Sequence, residues 1–284
     1  MSADDARTWL ERSPYAGDLG VEPLSIAPER ARLRLPFRPG NTNPGGVLHG
    51  GVAASLVTLA AQAVLRATLG PEAAPFHSWG FEVAYLAAAR QEAVEVEAVR
   101  LREGKELVFV DVSVRGEDGR PIAQGLVAAR ARFGAPAPPT PPAAGDDGSA
   151  DPGPLGPHIE KIPFMARLGI RIEHMSGGRS RIALPWRDES ADAPGGGVAE
   201  GAVLALLDTT GAMAAWAVTG PGPYKASTPA LQAQIVAPPP AEPLVARGRC
   251  LHRDGSAFWS DVEVCGAESG RLCARGTVLY RIVT

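Results

Sequence analysis

The residues best suited to chemistry fall in one short run, Asn43-Pro44-Gly45-Gly46-Val47-Leu48-His49-Gly50-Gly51, at the head of a long apolar segment. Glycines at a helix start let backbone N–H groups point outward where the first turn leaves its donors unpaired. Such a start is prepared for an anion or a developing oxyanion, and the helix dipole adds partial positive charge. Asn43 and His49 stand near enough to donate to, or orient, a polar group held there. A lone histidine is more often structural; beside two glycines at a helix start the balance turns toward function. Gly46 and Gly51 are expected to line the same bound group.

The element that must position these residues is the helix itself, predicted over Gly50–Leu69, and a second one like it over Gly201–Val218. Ala53, Ala54, Ala60, Ala61 and Ala63, with Ala202, Ala205, Ala212, Ala214 and Ala215, leave both thin and apolar almost all round. A helix without a polar face is buried on all sides. Either segment could be mistaken for a membrane span, but one carries Gln62 and Arg66 and the other Asp208. A carboxylate at bilayer centre costs roughly 2.5–3.5 kcal/mol, so buried helices of a soluble protein are the better reading.

The two helices belong to a duplication. Leu35-Pro36-Phe37-Arg38 recurs as Leu184-Pro185-Trp186-Arg187, and Pro14-Tyr15 with Leu19-Gly20 as Pro163-Phe164 with Leu168-Gly169, at an offset of 149. Pro44-Gly45-Gly46, Gly51 and Asp111-Val112 recur as Pro194-Gly195-Gly196, Gly201 and Asp261-Val262 at an offset of 150. Between the copies, residues 135–157 read APAPPTPPAAGDDGSADPGPLGP, a linker with almost nothing to bury. The expected organisation is therefore a domain over 1–134, the linker, and a like domain over 158–284.

Each copy reads as a short helix (Asp5–Glu11; His158–Met165), an alternating strand (Ala31–Pro36; Arg179–Leu184), a Gly-rich loop, the long helix and several closing strands. Val108, Val110, Val112 and Val114 alternate with Phe109, Asp111 and Ser113, the period of a half-buried strand. Gly116–Arg120, Gly177-Gly178 and Ala267–Gly270 read as hairpin turns. One long helix per copy, with an antiparallel sheet to bury it, is an α+β plan.

Charge is nearly balanced, 28 Lys+Arg against 31 Asp+Glu, with no basic stripe, which excludes a nucleic-acid partner on electrostatic grounds. The N-terminus lacks a signal-peptide pattern, and Cys250, Cys265 and Cys273 show no CxxC spacing, so a reducing, cytoplasmic setting without a disulfide framework is expected. His77 is expected at the surface. His158, His174 and His252 share no ligand spacing, so no metal is assigned. Arg90, Arg100 and Arg102 are scattered and read as solvated faces.

N-x-x-G-x-x-H-G-G before an apolar helix, then Ser78 ahead of Phe81-Glu82-Val83-Ala84-Tyr85, resembles the hotdog-fold acyl-CoA thioesterases of the phenylacetyl-CoA thioesterase type. The Gly104-Lys105 turn, the Val108–Val114 strand and Pro121-Ile122-Ala123-Gln124-Gly125 fit the same pattern, strongly in the first copy and weakly in the second. The resemblance implies a tandem double hotdog, each central helix wrapped by its sheet. It implies an acyl-CoA thioester as small-molecule substrate, coenzyme A entering only as part of it, and no other cofactor. It also implies an intramolecular pseudo-dimer, with further homodimerisation left open. In that family one subunit gives Asn, His and the helix-start Gly, and the other a helix carboxylate nine residues after its own His, with a Ser or Thr further on.

This chain divides those parts between its copies. Thr58 stands nine residues after His49, so the first copy lacks the carboxylate. The second has Ala193, Ala199 and Glu200 in place of Asn43, His49 and Gly50, yet keeps Asp208, and Thr228 answers to Ser78. Asp208 lies about 10 Å along its helix from Gly201, at ~1.5 Å per residue, too far to serve its own helix start. One working site is therefore expected from Asn43, His49 and Gly50 with Asp208 and Thr228. Gly50 would polarise the thioester carbonyl, His49 fix it, Asp208 act as general base or nucleophile, and Thr228 and Asn43 orient. The counterpart with Ala193, Ala199, Glu200, Thr58 and Ser78 is expected to be dead, although Glu200 could in principle act as a base. Two other readings stand beside this one: a catalytically silent acyl-CoA-binding protein, and an enoyl-thioester hydratase.

Overall fold

Residues 3–136, 139–146 and 148–283 are described by the computed structural model. The first copy runs α1 (Ala3–Arg12), α2 (Pro14–Leu19), β1 (Glu22–Ile26), β2 (Arg30–Leu35), β3 (Thr42–Asn43), β4 (Val47–Leu48), α3 (Gly50–Leu69), β5 (Phe76–Tyr85), β6 (Val94–Glu103), β7 (Leu107–Gly116) and β8 (Pro121–Ala131). The second runs α4 (Gly156–Ile159), α5 (Pro163–Leu168), β9 (Arg171–Ser176), β10 (Arg179–Leu184), α6 (Glu200–Thr219), β11 (Lys225–Ile235), β12 (Leu244–Asp254), β13 (Ala257–Gly266) and β14 (Leu272–Val283).

Both long helices stop at a Gly-Pro pair: Gly70 and Gly220 take the backbone to φ 83° and 76°, and Pro71 and Pro221 follow. Proline has no N–H to continue the ladder. The same chemistry corrects one expectation, because a single helix over His158–Met165 does not form. Pro163 cannot donate into a preceding turn, and it opens a new helix at its first position, giving α4 and α5 separately. The α5 end matches that of α2: Gly169 and Gly20 both cap in the left-handed region.

Ten of the twelve strands in the main sheet follow the order β2-β6-β7-β8-β5 in one half and β11-β14-β13-β12-β10 in the other, with β1 and β9 as outer edges. The halves meet where β5 pairs antiparallel with β11, Phe81 opposite Ala233 and Val83 opposite Leu231, so one continuous sheet serves both copies. Val108, Val110, Val112 and Val114 are all buried on its inner face, as their spacing requires. That face wraps α3 and α6, each a window 83% buried although long and apolar enough to span a bilayer. This is the double hotdog plan.

The helices cross closely and antiparallel. A Cβ on Gly51 would lie 2.6 Å from Ala205 Cβ, and one on Gly201 would lie 2.9 Å from Ser55 Cβ, the same contact repeated by the internal two-fold relation. Ser55 Oγ donates to Gly51 O at 2.7 Å and to Gly201 O at 3.1 Å, and it shares a 2.8 Å hydrogen bond with Tyr15, so the crossing is polar as well as tight. Gly51, expected beside the substrate, is thus a packing residue. Its missing side chain is what lets Ala205 approach.

Alanine is otherwise the better helix former, so Gly51→Ala and Gly201→Ala separate propensity from packing. Each is expected to lower unfolding free energy by about 1–3 kcal/mol, because the new methyl would press on Ala205 Cα and Cβ at Gly51 and on the buried Tyr15 ring and Ser55 Cβ at Gly201. Urea denaturation at equilibrium measures it.

Candidate active site

The antiparallel crossing brings the start of each helix against the middle of the other. His49 ends the loop in extended backbone, and its Nδ1 accepts the Gly51 N–H at 2.9 Å, capping α3. With Nδ1 accepting, the neutral ring carries its proton on Nε2. Burial without a charged partner pushes the imidazole pKa down to about 4, which keeps it neutral. Its face rests on Phe164, ring centres 5.0 Å apart, and Phe164 belongs to the second copy. The Gly50 N–H has no partner among the described residues, since the cap is spent on Gly51 and Val52.

Asp208 comes to this free donor from α6. A Cβ on Gly50 would sit 3.0 Å from Asp208 Oδ2. Gly50 has no unusual φ, so glycine is needed there for the closeness of the carboxylate. The other oxygen, Oδ1, accepts from Thr228 Oγ1 at 2.8 Å. Desolvation raises the carboxyl pKa to about 6, against a smaller lowering by the Thr228 hydroxyl. No cation pairs with it among the described residues.

Thr228 reaches Asp208 because the strand is irregular there. The β11–β14 register shifts between Ser227 and Ala230, and the β5–β8 register shifts between Ser78 and Gly80. Bulges re-aim side chains out of strict alternation. Both copies carry one, at matching positions, below the start of the other copy's helix.

His49, Gly50, Asp208 and Thr228 are therefore gathered in one place. Asn43 sits on β3 opposite Val47, half-buried, with no side-chain hydrogen bond among the described residues. Gly46 occupies the β3–β4 turn at φ 72°, and a Cβ there would lie 2.8 Å from Gln91 Cγ, so its duty is the turn. A nearby residue with no place in the sequence reading, Asn41, is buried and donates to Leu19 O at 2.9 Å, tying the loop to α2. Its only signal was the polar residue two before Asn43.

In the second copy the same volume is filled from the opposite side. Glu200, at the position of Gly50, extends its carboxylate to accept from Ser78 N at 3.0 and 3.1 Å, Gln62 Nε2 at 2.8 Å and Thr58 Oγ1 at 3.3 Å. Thr58 and Ser78 share a 3.0 Å hydrogen bond. Burial raises the Glu200 pKa, while the Ser78 and Gln62 donors pull it down. A carboxylate with three donors around it is a satisfied structural group. Ala199, where His49 would be, gives α6 no side-chain cap.

His77, expected at the surface, is fully buried. Its Nε2 lies 3.3 Å from Arg132 Nη2, and desolvation with the Arg132 and Arg130 charges lowers its pKa to about 4. The short strand before the bulge turns its side chain inward, which local composition does not reveal. Among the described residues no group of three or more His, Cys, Asp or Glu could hold a metal ion.

A sequence profile described as the acyl-CoA thioesterase N-terminal domain matches residues 38–141. The chain is 33% identical over 104 residues to acyl-coenzyme A thioesterase 13 of Mus musculus, covering 36% of this chain and 73% of that protein. In fold it is similar to the tesB protein of Mycobacterium avium subsp. paratuberculosis, with a TM-score of 0.64, 14% identity and 100% of both chains covered. It is likewise similar to acyl-CoA thioesterase II TesB2 of Mycobacterium marinum, with a TM-score of 0.63, 13% identity and coverage of 94% of this chain and 96% of that one.

The Asp208 environment sets a measurable stability effect. Its folded pKa, about 6, lies above the ordinary 3.8, so its contribution is complete below pH 3.8 and is lost as pH rises through 6. Asp208→Asn removes the buried charge and keeps an acceptor for Thr228. At about pH 8 the variant is expected to exceed the parent by up to ~3 kcal/mol, and at about pH 4 to match it. Urea melts at the two pH values read the difference.

Proposed function

The chain belongs to the acyl-CoA thioesterase family and is a thioester hydrolase, and from that premise we propose that it works through one composite centre shared between its two halves, with His49 and Gly50 on one side and Asp208 and Thr228 on the other. The observation that carries this reading is the Asp208 carboxylate, its pKa raised by burial to about 6, 3.0 Å from where a Gly50 side chain would begin. Asn43 lies on the ribbon that leads to this helix start, with its amide uncommitted, and is assigned to orient the substrate.

In the proposed reaction the acyl-CoA carbonyl oxygen lies against the Gly50 N–H, at the positive end of α3. Asp208 Oδ2 takes a proton from a water whose oxygen bonds to the carbonyl carbon. The carbonyl electron pair moves onto oxygen and is held by the unpaired N–H; loss of such a donor typically costs ~10²–10³ in rate. Collapse restores the carbonyl and breaks the C–S bond, and the departing coenzyme A thiolate takes the proton from Asp208. The products are a carboxylic acid and free coenzyme A, with no cofactor beyond the substrate. A general base works best with a pKa near the working pH, which the buried carboxyl approaches. His49 keeps the helix start in place through its cap, with Nε2–H as a further donor toward the substrate. Thr228 fixes the carboxylate rotamer. The second, closed pseudo-site takes no part.

Free-thiol release from acyl-CoA substrates, aryl and aliphatic, tests this. Turnover is expected to rise with pH through about 6, the Asp208 value. Asp208→Asn should lose at least ~10³-fold in kcat at unchanged fold, a general-base loss at the upper part of its usual range. Glu200→Gln should retain parental kcat. Full activity in Asp208→Asn would sink the composite centre, as would equal losses in the two variants.

A further inference from the structure

Tyr85 ends β5 with its ring edge at the start of α3. A Cβ on Gly50 would lie 3.6 Å from Tyr85 Cε1 and 3.8 Å from Cζ, next to the 3.0 Å approach of Asp208 Oδ2. The phenol, the carboxylate and the free Gly50 N–H therefore converge on one spot. The Tyr85 hydroxyl is closed off from solvent and has no hydrogen-bond partner among the described residues.

The other deep tyrosines differ. Tyr15 exchanges a 2.8 Å hydrogen bond with Ser55, and the Tyr280 oxygen accepts from the Trp216 indole at 3.2 Å. Buried hydroxyls are normally paired, so an unpaired one beside a reaction centre calls for a ligand. The internal repeat adds a second observation. The position answering to Tyr85 in the other copy is Ile235, fully buried and without any polar atom. A hydroxyl is thus present at this position only in the half whose helix start is left open, and absent where Glu200 closes the space. Burial and the Asp208 charge push the phenol pKa well above its ordinary 10, so Tyr85 keeps its proton and has an O–H to donate.

We propose that Tyr85 is a further catalytic residue, whose hydroxyl donates to the thioester carbonyl oxygen beside the Gly50 N–H and holds the oxyanion formed on water addition. Asp208 is not its partner, because no hydrogen bond joins them and Oδ1 is already taken by Thr228. This inference rests on the composite centre proposed above.

The test compares the parent, Tyr85→Phe and Asp208→Asn in the same thiol-release assay, with a full pH profile and a thermal melt for each. Tyr85→Phe keeps the ring and is expected to lower kcat by about 10²-fold, the scale of one oxyanion donor. KM should stay within about threefold, the acid limb of the profile should not move, and the melting temperature should hold or rise, since an unpaired buried hydroxyl is removed. Parental kcat in Tyr85→Phe with Asp208→Asn inactive overturns the tyrosine assignment alone. A loss confined to KM, or a shifted acid limb at parental plateau activity, also overturns it, giving Tyr85 to the acyl pocket or to Asp208. Activity retained in Asp208→Asn removes the underlying site.

Discussion

The closeness of two helices governs this protein. Gly51 against Ala205 and Gly201 against Ser55 let α3 and α6 cross nearly backbone to backbone, and only that distance puts a helix start within reach of a carboxylate two turns inside its neighbour. The sheet follows from the same constraint. A pair of helices apolar on every side needs an inner face on all sides, and twelve strands continuous through β5 and β11 supply it. The bulges at Ser78 and Thr228 are where this wall gives way to bring a hydroxyl inward.

Within that symmetric frame the chemistry is inverted. On one side the carboxylate reaches from the middle of α6 toward a bare glycine; on the other it reaches from the start of α6 toward Thr58. The first leaves an N–H and a phenol unpaired and the carboxyl pKa near 6. The second surrounds its carboxylate with three donors. Each side holds the same functional group, a carboxylate, and the difference lies in which partners are left wanting. Unpaired polar groups are costly to bury, and the Gly50 N–H and the Tyr85 hydroxyl are the ones that the proposed substrate would complete.

Much of this was legible in the residues. The offset near 150 gives the duplication, the alanines give the buried helices, and α3 keeps the limits that its flanking glycines suggest. The division of His49 and Gly50 from Asp208 is visible in the sequence, because it needs only the repeat to align them. What could not be read are contacts between segments far apart. Gly51 has the look of a ligand-binding glycine until Ala205 is seen opposite it. His77 follows a Pro/Ala loop and looks solvated, yet the strand it opens turns it inward. Tyr85 sits at an inner-facing position by simple alternation, but whether its hydroxyl finds a partner depends on the other copy. Glu200 reads as a spare base, and three donors from α3 and β5 make it a fixture.

Joining the copies by residues 135–157 has a further effect on assembly. Were the halves separate chains, each could pair with itself. Two first halves would present helix starts without a carboxylate, and two second halves carboxylates without an open helix start. The tether removes that choice: every molecule made holds both halves, and with them the pairing that the proposed centre requires, in fixed ratio and at any dilution. Selection can then act on Gly50 or Glu200 individually, where a self-paired ancestor would have altered both of its sites with each substitution.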